Sequence, residues 1–161
     1  MPPGSLKELY LDEMRDLWSA NDQMQRFMTK LGNSASDRKL KDMLDKSVAG
    51  IAKHTATIQS LLEAQGGNVG KEHCKGMEGL VAEANKHALD KNLDGRFRDL
   101  EIIAQYQRMS HYGIAGFGTA AAYASALGLK DDAANLKSIV SDIYKADEYT
   151  SRLAEQAEKA A

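Results

Sequence analysis

The stretch "YGIAGFGTAAAYASALGL", residues 112–129, distinguishes a membrane protein from a helical bundle. A transmembrane helix needs about 20 consecutive apolar residues, and this uncharged stretch approaches that length. Most of its residues are alanine and glycine, which are only weakly apolar, and acidic and basic residues border it on both sides. We therefore expect a buried helix of a bundle and no membrane association.

The segment "RMSHYGIAGFGT" (108–119) places Gly113, Gly116 and Gly118 beside His111 in an otherwise helical pattern. Each glycine within a helix costs about 1 kcal/mol relative to alanine, so three of them need a reason. One possible reason is a metal or catalytic site, and the other is close packing between helices. The neighbouring small residues Ala115, Ala120 and Ala121 favour close packing.

The composition indicates one globular domain spanning residues 1–161. Hydrophobic residues make up 43% of the chain and charged residues 27%, which is ordinary for a globular protein. The net charge of −2 gives no reason to expect nucleic acid or an anionic membrane as a partner. The single cysteine, Cys74, and the lack of a signal-peptide pattern favour a cytoplasmic location.

The spacing of apolar residues predicts an all-α chain with four long helices. The first follows a cap at Ser5, and the second begins at Ser36 or Asp37 and ends at "GGNVG" (66–70). The third runs from about residue 97 to 127 and the fourth from about 131 to 159. A shorter helix in "CKGMEGLVAEANKHAL" (74–89) lies in the crossover between the second and third. This order is the ferritin-like arrangement of a four-helix bundle.

Polar residues interrupt the inward face of every long helix near its middle. They are Asn21, His54, Gln107, Ser110 and Asp147, with His111 at the edge of its face. A di-iron or di-manganese centre takes about four carboxylates and two histidines. The only metal-ligand candidates are His54, His111 and Asp147, which are too few. We therefore expect no metal and a fully satisfied hydrogen-bond network in the bundle centre.

Several segments resemble the YciE/YciF-type bacterial stress proteins of the ferritin-like superfamily. "HCKGMEGLVAEAN" (73–85) is similar to that family's K-C-x-x-M-E-G-L-I-x-E element. "EIIAQYQRMSHYGIAGFGTAAAYASALG" (101–128) is similar to its segment containing E-H-Y-E. "DLWSANDQM" (16–24) and "YKADEYTSRLAE" (144–155) are similar to its first and last helices. The resemblance implies a bundle with a carboxylate-rich metal centre, usually described as di-iron, and a tendency to dimerise.

The chain departs from this pattern at the acidic positions of all four long helices. Where the family has acids, this sequence has Asn21, Ala49, Gly50, Ser110, Gly113 and Tyr144. The concerted loss suggests a relative that no longer binds the metal, leaving a vestigial site at Asn21, Gly50, Ser110, Gly113 and Tyr144. The histidines His54 and His111 remain.

These observations predict a non-catalytic, metal-free homodimer with a structural or partner-binding role and no cofactor. The alternative from the same resemblance is an iron- or manganese-dependent oxidase or peroxide-consuming enzyme. A third reading is a haem or small-molecule binder with His54 or His111 as axial ligand. Cys74 is expected to be a packed small side chain, although His73 and Lys75 beside it could make it reactive. Tyr106, Tyr112, Tyr123 and Tyr144 are expected in the core or in helix seams.

Overall fold

The structure, a computed structural model, describes residues 1–161, and all of its regular secondary structure is helical. The helices are α1 (Leu6–Ser34), α2 (Arg38–Ala64), α3 (Lys75–Ala88), α4 (Gly95–Ala126) and α5 (Lys130–Ala160). The prediction of four long helices with a short helix in the crossover is confirmed. None of the five helices combines the length and apolarity needed to cross a bilayer.

The predicted starts of the first two helices are confirmed by their caps. The Ser5 hydroxyl accepts a hydrogen bond from the Glu8 backbone N–H at 3.2 Å, and the Asp37 carboxylate accepts one from Leu40 N–H at 2.9 Å. Each cap satisfies a donor that the first helical turn leaves free. Gly66, at a φ of 77°, follows the end of α2 in the left-handed conformation that glycine tolerates best.

Two buried hydrogen-bonded contacts fix the direction of the second helical hairpin. Near the beginning of α4, the Asp99 carboxylate accepts hydrogen bonds from the backbone N–H groups of Ser36 and Asp37 at 2.7 and 2.9 Å. These two residues immediately precede α2. At the opposite end, the Tyr10 hydroxyl of α1 donates to Asp132 of α5 at 2.9 Å. The bundle order is therefore α1–α2–α5–α4, with α3 packed against α1 and α4. Each long helix runs antiparallel to its two neighbours.

The apolar core divides into two clusters along the bundle. One contains 18 buried residues, among them Met24, Ile51 and Met109. The other contains 13, among them Leu17 and Phe117. Along the helices, the positions between the two clusters hold the buried polar residues Asn21, His54 and Ser110. The core is therefore interrupted at mid-height by a polar layer.

The glycines of α4 have different surroundings. A Cβ atom on Gly116 would lie 2.5 Å from Leu17 Cδ2 and 3.2 Å from Glu13 Oε1, so this glycine allows α1 to approach α4 closely. Ala120 and Ala121 are buried. A Cβ on Gly118 would meet nothing within 4 Å, and Ala115 is exposed. The prediction of a close-packed seam is confirmed at Gly116 and wrong at Gly118, which faces outward.

We expect Gly116→Ala and Gly118→Ala to change stability in opposite directions. Both gain up to about 1 kcal/mol of helix propensity. Only Gly116→Ala pushes a methyl group into the fully buried Leu17, and such overpacking costs about 1–3 kcal/mol. Urea unfolding should place Gly116→Ala below Gly118→Ala in the free energy of unfolding. Equal stabilisation of both variants would show that the seam is not tightly packed.

Candidate functional site

A cavity of about 570 Å³ lies at mid-height and opens between α2 and α5. Its mouth is formed by residues of α2 and α5, and its inner wall by residues of α1 and α4. The lining residues on α1 and α4 are Asn21, Met24, Tyr106, Ser110, Gly113 and Phe117. The lining residues on α2 and α5 include Met43, Ser47, Gly50, Ile51, His54, Asp142, Ile143 and Tyr149. The cavity lies beside the polar layer of the core.

Four of the five predicted vestigial positions line this one cavity: Asn21, Gly50, Ser110 and Gly113. The two glycines leave room there, because a Cβ on Gly50 would meet nothing within 4 Å and one on Gly113 would lie 3.4 Å from Ile143 Cδ1. The fifth position, Tyr144, does not line the cavity and is 53% exposed. The expectation that Tyr144 packs in the core or a seam is wrong, since α5 turns this side chain to the surface.

Two buried polar atoms in the cavity wall lack a hydrogen-bond partner. They are Asn21 Nδ2 and Ser110 Oγ, on residues that are only 5% and 3% exposed. The prediction of a fully satisfied network in the bundle centre is therefore wrong at these two side chains. Gly50 and Gly113 line the cavity on facing helices and contribute no side chain, so the centre holds a cavity where a hydrogen-bond network was expected.

His54 is held at the cavity wall by two neighbours. Its Nε2 lies 3.2 Å from Asp142 Oδ2 of α5, and its ring meets the edge of Phe117 with centroids 6.3 Å apart. On the opposite side, Tyr106 and Ser47 share a hydrogen bond of 3.0 Å between their hydroxyls. Burial raises the pKa of Tyr106, so its hydroxyl remains protonated at neutral pH. Asp142 was not among the residues that the sequence pattern singled out.

The mouth of the cavity carries an excess of unpaired positive charge. Lys39, Lys46 and Lys145 line it, and none of them has a carboxylate partner within 4 Å. The two acids at the mouth are each paired, Asp42 with Arg38 at 3.5 Å and Asp142 with His54 at 3.2 Å. No sequence pattern pointed to these lysines, because they come from two helices far apart in the chain.

The remaining predicted polar residues form a separate contact between α4 and α5. Gln107 Nε2 donates to Asp147 Oδ1 at 3.2 Å and to Ser151 Oγ at 2.9 Å. His111 Nε2 lies 3.1 Å from the same Asp147 oxygen, and its side chain is 55% exposed. Neither His111 nor Asp147 lines the cavity, so the structure does not join them with His54 there.

The cavity residues do not fit a dinuclear metal centre. Such a centre needs several carboxylates around one point, because hard cations require anionic oxygen ligands. No group of three or more His, Cys, Asp and Glu side chains is placed to hold a metal ion. The only carboxylates lining the cavity are Asp42 and Asp142 at its mouth, and Asn21, Gly50, Ser110 and Gly113 contribute none.

Cys74 belongs to a different cluster that attaches α3 to α1 and α4. Its backbone N–H donates to Ser19 Oγ at 2.9 Å, and its sulfur caps α3 by accepting from Met77 N–H at 3.3 Å. The thiol lies 3.0 Å from the hydroxyl of Tyr112, which itself donates to Asp16 at 2.6 Å. Cys74 is 1% exposed, as expected for a packed side chain.

Comparison with known proteins identifies the family of this chain. The family model described as "Domain of unknown function (DUF892)" matches residues 5–161. The chain belongs to the DUF892 family.

Its relatives include a bacterial stress protein and a protein described as structural. The chain is 28% identical over 134 residues to protein YciF of Escherichia coli (strain K12), covering 83% of this chain and 80% of that relative. The crystal structure of the E. coli stress protein YciF superposes with a TM-score of 0.94 at 26% identity, covering 99% of this chain and all of that one. YcfI from Rhodopseudomonas palustris, described as a putative structural protein, gives a TM-score of 0.86 at 25% identity over 91% and 93% of the two chains. The resemblance to YciF-type proteins is therefore confirmed.

We expect native Cys74 to be unreactive towards thiol reagents. Burial raises the pKa of the Cys74 thiol, which lowers the fraction of the nucleophilic thiolate at neutral pH, and its side chain is inaccessible. Ellman's reagent at pH 7.5 should label the folded protein at least about 10-fold more slowly than glutathione, and the guanidinium-unfolded chain at the rate of a free thiol. Cys74→Ser supplies the blank. Labelling of the folded protein at the free-thiol rate would identify Cys74 as a reactive site.

Proposed function

We propose that this protein is a non-catalytic, metal-free ferritin-like bundle that acts in the bacterial stress response as a structural or partner-binding homodimer. The observation that supports this most directly is the cavity wall. Asn21, Gly50, Ser110 and Gly113, where the YciF-type pattern has acids, converge on one cavity whose interior has no carboxylate.

Electrostatics supports a stable metal-free state. Several carboxylates at one buried point repel each other and are costly to desolvate unless a cation binds between them. This chain has neutral side chains or no side chain at those points, so it needs no metal to fold. The naming of its relatives as a stress protein and as a putative structural protein supports the stress-response and structural parts of the proposal.

The alternative is an oxidase or peroxide-consuming enzyme with two iron or manganese ions. It draws support from the resemblance alone, since Tyr144 faces solvent and His111 and Asp147 pair outside the cavity. An enzyme of this type would have to obtain its carboxylate ligands from Asp42 and Asp142, which lie at the mouth and already contact Arg38 and His54.

Metal analysis of designed variants tests the proposal. The protein expressed with excess iron or manganese should contain no stoichiometric metal. The quadruple variant Asn21→Glu, Gly50→Glu, Ser110→Glu, Gly113→Glu places four carboxylates around the same cavity, and we expect it to retain metal, up to about two ions per chain. Metal should also raise the unfolding temperature of this variant alone, since a ligand at 100 times its Kd stabilises by about 2.7 kcal/mol.

Gly118→Glu is the matched control, because it adds the same side chain to α4 outside the cavity. It should bind no metal. About two iron or manganese ions per chain in the unaltered protein would contradict the proposal and favour the enzyme. A folded quadruple variant that binds no more metal than Gly118→Glu would show that the four positions do not converge.

The homodimer is a separate expectation from the resemblance. Multi-angle light scattering after gel filtration at micromolar concentration should give twice the chain mass of 17.6 kDa. A concentration-independent mass equal to one chain would remove the dimer from the proposal and leave the metal-free bundle unaffected.

A further inference from the structure

We propose that the central cavity binds an amphipathic monoanion, with a carboxylate at the lysine-lined mouth, an apolar body inside, and a neutral oxygen at the inner end. This inference rests on the proposed metal-free interior. Three features of the cavity, from its inner wall to its mouth, specify the three parts of the ligand.

The inner wall presents unpaired hydrogen-bonding groups. Asn21 and Ser110 are each more than nine-tenths buried and line the cavity. Asn21 Nδ2 has no partner, and Ser110 Oγ has only the neighbouring Tyr106 hydroxyl, which is not placed for a well-formed hydrogen bond. Buried donors without a partner are destabilising, so a ligand atom that pairs with them gains both affinity and specificity. An oxygen of a hydroxyl or carbonyl group can accept from both side chains. A hydrocarbon end would leave both unpaired.

The middle of the cavity is apolar and adaptable. Its walls include Met24, Met43, Ile51, Phe117 and Ile143. Methionine side chains adjust to irregular shapes because they are unbranched and flexible. The cavity volume of about 570 Å³ lies within the range of about 300–1,000 Å³ that is typical of small-molecule sites. This part of the cavity suits an alkyl or aromatic body.

The mouth selects the sign of the ligand's charge. The ammonium groups of Lys39, Lys46 and Lys145 have no carboxylate partner, and they outnumber the two acids at the mouth, Asp42 beside Arg38 and Asp142 beside His54. An anion there finds three unpaired cations from two helices, and a cation would be repelled. The charged end of the ligand therefore remains at the solvated mouth, where its desolvation cost is small.

Isothermal titration of the full-length protein tests all three parts. The probe is 10-hydroxydecanoate, with decanoate and decylamine as matched compounds that lack the terminal hydroxyl or reverse the charge. We expect 10-hydroxydecanoate to bind with a Kd below 1 mM, decanoate about 5- to 10-fold more weakly since it lacks one hydrogen-bonding oxygen, and decylamine not measurably. Affinity for 10-hydroxydecanoate should fall as salt is added.

Variants assign the contacts. Asn21→Leu, which keeps the side-chain size, should abolish the preference for 10-hydroxydecanoate over decanoate. The double variant Lys46→Gln, Lys145→Gln should weaken the binding of 10-hydroxydecanoate and of decanoate by about 3- to 10-fold, as expected for the loss of two partly solvated ion pairs. Gly50→Leu should narrow the cavity and weaken the binding of both acids. Gly118→Leu adds the same side chain to an outward-facing glycine and should bind like the unaltered protein.

Several results would overturn the inference. One is that neither acid binds with a Kd below 1 mM, and another is that decylamine binds as tightly as the acids. A third is that a folded Gly50→Leu variant binds with unchanged affinity, because the ligand would then lie outside the cavity. If Gly50→Leu does not fold, an unchanged affinity of the double lysine variant for both acids would overturn the inference in its place. The titrations are run in EDTA on protein of measured metal content. If the metal-free protein binds neither acid, only this inference is contradicted. If the purified protein contains stoichiometric metal, the proposed function is contradicted.

Discussion

A buried polar layer divides the apolar core of this bundle, and the charge of that layer determines what the interior can hold. In a four-helix bundle, acids on facing helices at mid-height create a cation site, because only a metal offsets their mutual repulsion. Here the layer consists of an amide, a hydroxyl, an imidazole and two glycines. The same backbone therefore encloses a neutral cavity with a basic mouth.

The fold was predictable because it depends on local signals. The absence of internal proline, the apolar spacing of three and four, and the caps at Ser5 and Asp37 each act within one turn of helix. The short crossover helix was predicted from the segment at residues 74–89, which lies between the second and third long helices. The convergence of Asn21, Gly50, Ser110 and Gly113 could also be anticipated, since each lies on an inward face or matches an acidic position of the YciF-type pattern.

The rest of the site depends on how the helices are rotated and spaced against each other, which periodicity does not determine. Asp142 reaches His54 across the α2–α5 contact, and Tyr144, which was expected in the core or a seam, turns outward two residues later. Lys39 and Lys145 meet at one mouth although they are on different helices. Whether Asn21 Nδ2 and Ser110 Oγ find a partner depends on which side chains face them across the bundle, which the spacing of residues along one helix does not determine.

Anomalous diffraction tests the central claim most directly, because it locates metal ions atom by atom. Crystals grown with excess manganese or iron, with data collected at the corresponding absorption edge, should show no anomalous peak between Asn21, Gly50, Ser110 and Gly113. Two strong peaks among these four residues would contradict a neutral interior and would establish that ligands other than the missing acids suffice to bind the metal.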